Sequence, residues 1–317
     1  MRTVRPVVSG RTWLLSTIVT ALAGVGIAWM LATPDGPSPT SVVRVLAVGL
    51  GATVFGLTAW QFLQRDERRP ALDPGLLWQS TAALAGMWTV AEVVLVVVEA
   101  AEAEGRSRFA VAPGTVIDFV RVVNAGRLGV LTVVCVALVT VTAAVAYRRS
   151  LPWAAAPVLA LSGLALITRP ASGHMSQQIL GALLGAAHVL AASTWFGMLA
   201  ALALTVHSRG AWATLLPRYS TIAARCVWVV AATGVVNAAI RLGGVAPLVT
   251  TGYGRVVLAK IIALAALLAA GWWLRRVWVV PASAHQMGAD ASLRWAVVES
   301  AAMATALGLA AALATTA

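Results

Sequence analysis

In stretches that otherwise read as hydrocarbon, a few side chains of this 317-residue sequence have the chemistry to hold a cation or move a proton: His188, Glu92, Lys260 and Glu299. Two more, His174 and Met175, stand side by side in SGHMSQQ, residues 172–178. An imidazole and a thioether together suit copper, Cu(I) above all, better than calcium or magnesium, which take oxygen ligands. His188, in GAAHVLAASTWFG, shares a helical face with Gly181, Gly185, Ala192 and Trp195 by the three- and four-residue spacing that brings side chains into register. That face is small apart from the histidine and the tryptophan, and Gly181 to Gly185 is a GxxxG step of the kind that admits another helix. His188 is therefore expected to point into protein. Two readings stay open for it: an imidazole hydrogen-bonded to a neighbouring helix, or a neutral imidazole that ligates a metal.

His174 and His188 are 14 positions apart, a rise of about 20 Å on a continuous helix, so they cannot share one ion. If both bind metal they are successive stations, one at the outer surface and one buried. A surface loop with an incidental His-Met pair is the plainer reading of the first. Glu299 and Met303 lie one turn apart on one face, a carboxylate and a thioether pointing together. Glu92 shares a face with Glu99, and the pair could draw cations inward. Lys260 sits close enough to a helix end for its stem to snorkel to the surface. Asn237 and Gly234 give their helix a polar, close-packing face. Cys135 and Cys226 stand singly, with no paired spacing, and read as small core residues.

What positions these groups follows from composition. Sixty per cent of the residues are apolar, 11% are charged and the mean hydropathy is +0.87, too few polar side chains to coat a soluble globule. A bilayer core about 30 Å thick needs roughly 20 apolar residues per helical crossing, and no ten-residue alternation marks a barrel. The fold class is all-α, a polytopic transmembrane helical bundle of about nine spans. They are read at residues 12–32, 41–63, 77–100, 126–147, 152–168, 179–205, 218–240, 255–279 and 291–315. The formal charge of +12 is spread over span ends rather than clustered with aromatics, which speaks for topology and against nucleic acid. Arginines gather at alternate ends, as at Arg65, Arg68 and Arg69, at Arg148 and Arg149, and at Arg275 and Arg276, and the positive-inside rule then puts the N-terminus in the cytoplasm. VIDFVRVV, in the connection after the third span, reads as a short amphipathic helix on the outer surface. The chain divides into a four-span region, 1–150, and a five-span region, 151–317.

The second half resembles the CopD, or copper resistance D, membrane proteins. The resemblance is carried by GHM, by a histidine followed seven residues later by tryptophan and then glycine (His188, Trp195, Gly197), by TGxxNA (Thr233, Gly234, Asn237, Ala238) and by YGRxxLxK (Tyr253, Gly254, Arg255, Leu258, Lys260). These motifs cover about residues 170–305, and the first four spans carry none comparable. The resemblance implies copper handling in the bacterial inner membrane, either uptake from the extracytoplasmic side or delivery to cuproproteins. By the same resemblance His174 and His188 match the family's histidine positions. The end of the chain after LATTA is compatible with a fusion to an oxidase-assembly domain of the CtaG type.

The leading reading is a copper transport or transfer protein with His188, His174 and Met175 as metal sites, supported by Glu299, Met303, Glu92, Lys260 and Asn237. Its cargo is copper ion, with no tightly bound organic cofactor. Its surroundings are the lipid bilayer, with a periplasmic copper chaperone or cytochrome oxidase assembly proteins as partners. The alternative is a non-transporting copper-dependent assembly factor for oxidase. A b-type cytochrome needs two facing axial ligands, and His188 is the only histidine deep in a span. An enzyme is disfavoured, since no GxSxG, HExxH or phosphate-binding glycine loop occurs.

Overall fold

The computed structural model describes residues 12–34, 36–105, 111–169 and 179–316; these are helical almost throughout, with no strand among them. His174 and Met175 lie outside the described residues. The helices in chain order are α1 (Ser16–Leu31), α2 (Ser41–Leu63), α3 (Pro74–Ala103), α4 (Pro113–Val122), α5 (Asn124–Arg149), α6 (Ala155–Thr168), α7 (Ile179–Thr205), α8 (Arg209–Leu242), α9 (Pro247–Thr250), α10 (Gly252–Leu274), α11 (Val280–Ser283) and α12 (Ala289–Leu313). Seven are long and apolar enough to cross a membrane, namely α2, α3, α5, α7, α8, α10 and α12; α1 and α6 are shorter apolar helices. Each of the nine predicted spans is thus a helix. Hydrocarbon offers no partner to a backbone N–H or C=O, so a spanning segment must close its hydrogen bonds within itself.

The ends carry local signals. Asp73 caps α3 by accepting from the Gly75 and Leu76 amides, with Pro74 at the first helical position. Ser208 caps α8 through the Ala211 amide, so α8 starts well before the predicted 218 and runs through Pro217. Its other end closes at Gly243, whose left-handed φ of 62° suits glycine. Thr251 caps α10 through the Gly254 amide, and a π turn over Arg275–Val279 carries α10 on into α11. The VIDFVRVV stretch forms α4, which sets Thr115 and Phe119 inward against α3 and α5.

Two buried cores organise the bundle. One joins residues of α2, α3, α5 and α6; the other joins α1, α2, α7, α8, α10 and α12. α2 contributes to both, and its contact with α7 is the seam. There Gly56 and Gly197 face each other so closely that a Cβ on Gly197 would run into the Ala52 carbonyl, and one on Gly56 into the Gly197 backbone. The indole of Trp60, fully buried, donates to the Met198 carbonyl at 3.0 Å. The α1–α12 pair repeats the device with Gly24 and Gly308. Such close approach is what small residues contribute where lipid provides no hydrophobic drive between helices. Outward faces are apolar: Trp228 is 77% exposed and Ile262 61%, as lipid contact requires.

Gly197→Val is expected to force α2 and α7 apart and destabilise the protein by about 1–3 kcal/mol or more, the usual cost of overpacking. Gly26→Ala, in open space on α1, is expected to be neutral or slightly stabilising, since glycine costs a helix about 0.5–1 kcal/mol. Thermal unfolding of both variants in detergent checks the pair.

Candidate functional site

α7 brings His188 against α8. The imidazole Nδ1 lies 2.8 Å from Thr233 Oγ1. That hydroxyl donates to the Val229 carbonyl at 2.6 Å, which makes it an acceptor for His188 in the tautomer with the proton on Nδ1, and the Val230 backbone also bonds the ring. In that tautomer Nε2 keeps its lone pair, the state in which a neutral imidazole ligates metal. One residue past Thr233, a Cβ on Gly234 would meet His188 Cε1 at 3.6 Å. Thr233 thus orients the ring, and the backbone at Gly234 packs beside it at ordinary contact distance.

His188 lines a cavity of about 430 Å³ between α7, α8, α10 and α12. Its walls are mostly aliphatic. Asn237, Lys260 and Met303 share it with His188, Trp195 lies along it, and Arg241 and Tyr253 complete its polar set. Arg241 holds its guanidinium over the Tyr253 ring, 4.1 Å from the centroid. Tyr253 stands at the start of α10 and Arg241 at the end of α8, the side that the positive-inside rule leads one to expect outside. From Tyr253 to Lys260 the helix rises about 10 Å, so the cavity reaches well into the bilayer. Lys260 therefore lines the cavity with His188, and it acts electrostatically on that ring.

The remaining predicted groups lie elsewhere. Glu299 sits beside the Tyr219 hydroxyl without a well-formed hydrogen bond to it, and is not among the residues that line the cavity. Glu92 belongs to a separate cluster. Arg169 reaches Glu92 Oε2 at 2.6 Å and Glu99 Oε1 at 2.7 Å, and Arg44 reaches the same Glu99 oxygen at 2.7 Å. The Trp88 indole adds a bond to Glu92 at 3.0 Å. Two carboxylates and two guanidinium groups thus neutralise one another, joining α2, α3 and the end of α6. Arg169 and Arg44 are the members that sequence reading missed. The signal was present in part, since Arg44 is a cation inside the second span and calls for a counter-charge; its partner lies 55 residues away. Cys135 and Cys226 are free and buried. Among the described residues no three His, Cys, Asp or Glu side chains gather as a metal cluster.

Comparison with known proteins follows this geometry. Residues 213–313 match the family model for copper resistance protein D, which takes in the lining residues of α8, α10 and α12. Residues 30–179 match the model for a copper resistance protein D-like N-terminal domain. The family signal therefore reaches the first spans, to which the motifs of the second half do not extend. No curated protein and no solved structure matches the chain.

Glu92→Gln leaves Arg169 with one carboxylate in place of two. With the Glu92 side chain only 5% exposed, the expected loss is near the low end of the about 3–5 kcal/mol for breaking a buried pair. Glu67→Gln, which removes the more exposed pair with Arg218, is expected to cost no more than about 1 kcal/mol. Unfolding temperatures of the two variants provide the comparison.

Proposed function

The chain belongs to the copper resistance protein D family, and we propose that its cavity takes copper from the extracytoplasmic side, with His188 as the central ligand. The observation that supports this reading is the His188–Thr233 hydrogen bond, which in the Nδ1–H tautomer leaves Nε2 as a donor inside the membrane. Met303 supplies a thioether to the same cavity. One imidazole and one thioether, with no carboxylate lining, make a soft and sparse donor set that suits Cu(I) rather than a hard cation. His174 and Met175, at the sequence position that precedes α7, are the outer station from which the ion passes to His188. Asn237 and Lys260 act on what accompanies the ion. Glu299, beyond Met303 on α12, lies where an ion leaving the cavity inward would meet its first carboxylate.

In this reading no covalent bond of an organic substrate is made or broken; the work is ligand exchange and movement of charge across a low-dielectric layer. Neutral donors move a monovalent ion with less rearrangement than a carboxylate would, because each exchange leaves the protein's charge unchanged.

His188→Ala is expected to abolish copper bound by the purified protein under reducing conditions and to reduce cellular copper accumulation. Wild-type values in both measurements would remove His188 from the pathway. Thr233→Val keeps the shape and removes the acceptor for Nδ1–H, and copper affinity is expected to fall by about 10–100-fold, the usual cost of losing the group that orients a ligating imidazole. A competition titration against a Cu(I) chelator measures it.

A further inference from the structure

The polar groups that line the cavity are His188, Asn237, Arg241, Tyr253 and Lys260, and no carboxylate is among them. Lys260 makes no hydrogen bond and no ion pair with any described residue, and no carboxylate acts on it. Asn237 Oδ1 is buried without a hydrogen-bond partner. Among the described residues, Arg241 is engaged by the face of Tyr253 and by no hydrogen bond or ion pair. The cavity is therefore positively charged between aliphatic walls, where low dielectric makes every charge interaction stronger than in water. An unpaired ammonium in such a place calls for an anion, and a bare Cu⁺ beside it would be repelled.

From this we infer that copper reaches His188 as an anionic Cu(I) complex, carried by soft monoanionic ligands whose charge Lys260 receives. The inference rests on the reading of the cavity as a copper site and names the form in which its cargo arrives. Cu(I) held by two monoanions X⁻ has a net charge of −1. His188 Nε2 uses its lone pair to form a Cu–N bond while one Cu–X bond breaks, the electron pair leaving with X⁻. The released X⁻ pairs with the Lys260 ammonium, and copper stays in the +1 state throughout. The product, His188–Cu–X, is neutral and suits the aliphatic walls. Size agrees: a water occupies about 30 Å³ in the liquid, so a cavity of about 430 Å³ has space for a complex and not merely an ion. Halide and small thiolate are the two sources of this ligand chemistry.

The test uses the purified full chain in detergent under reducing, anaerobic conditions, with free Cu⁺ set by a competing chelator. Copper affinity, referred to free Cu⁺, is measured without added soft anion, with bromide, and with a small monothiol. The expected result is an affinity that rises about tenfold or more with at least one of the two anions, within the usual range of coupling between two ligands. A response to bromide marks the halide complex and a response to thiol alone marks the thiolate complex. Lys260→Arg keeps the charge and is expected to keep the rise, whereas Lys260→Met is expected to bind copper with no response to either anion. Affinity unchanged by both anions in the wild-type protein, or an equal rise in Lys260→Met, would overturn the inference while leaving the copper site in place. Absence of copper binding under every condition would overturn the proposed function, and the inference with it. Thermal unfolding of both Lys260 variants separates loss of the response from loss of the fold.

Discussion

An ionised side chain within a bilayer must find a counter-charge, a water-filled space or a ligand, and this constraint divides the molecule in two. In the first half it is met internally. Arg44, Glu99, Arg169 and Glu92 alternate in sign, and the Trp88 indole occupies an oxygen of Glu92. The cluster balances its own charge and ties α2, α3 and the end of α6 together. In the second half the constraint is left open. Lys260 faces a cavity with a histidine, an asparagine and a thioether, and with no acid to meet it. A group left unmatched at such cost is where function is most reasonably sought.

The open half is held in place by close backbone contact. Small residues let α2 approach α7 at Gly56 and Gly197, and the Trp60 bond to Met198 fixes α7 along its axis. His188 lies nine residues before Gly197 on that helix, so its height in the membrane is set by this seam. Its rotation is set separately, by Thr233 across on α8. One residue of glycine on each side of the seam and one hydroxyl on α8 thus set where the imidazole stands.

Much of this was legible in the sequence because hydropathy acts over whole windows. Nine apolar runs became nine helices, and VIDFVRVV became α4, since neither result depends on a distant partner. Boundaries were less legible: α8 starts at Arg209 rather than 218 because its first turns are amphipathic, packing Trp212, Leu215 and Leu216 inward, and apolar density does not register that. His188, Asn237, Lys260 and Met303 were each visible as polar or soft groups within spans, but their convergence was not, because it depends on how α7, α8, α10 and α12 pack. Lys260 shows the difference most plainly. Its nearness to a helix end suggested a side chain escaping to the surface, whereas the packing of α10 turns it toward His188. The Arg169 bonds were invisible for the same reason, their partners lying 70 and 77 residues away.

The cavity also lies where the bundle is least consolidated, and burial along α8 shows why. Its first turns are anchored, with Trp212, Leu215, Leu216 and Tyr219 all buried, while Val229, Val235, Val236 and Ile240 on the later turns are exposed. Trp212 packs on Trp278 at 6.0 Å between ring centroids, tying the same end of α8 to the far end of α10. Trp212 and Trp278 thus join α8 to the helical run after α10 at one end, Arg241 and Tyr253 bridge the two helices at the other, and the cavity lies between. Further along α7, Met198, Leu199 and Leu202 are fully buried. The loose turns of α8 are thus the ones that border the cavity, as Val235 and Ala238 do, and the packed turns of its first half do not.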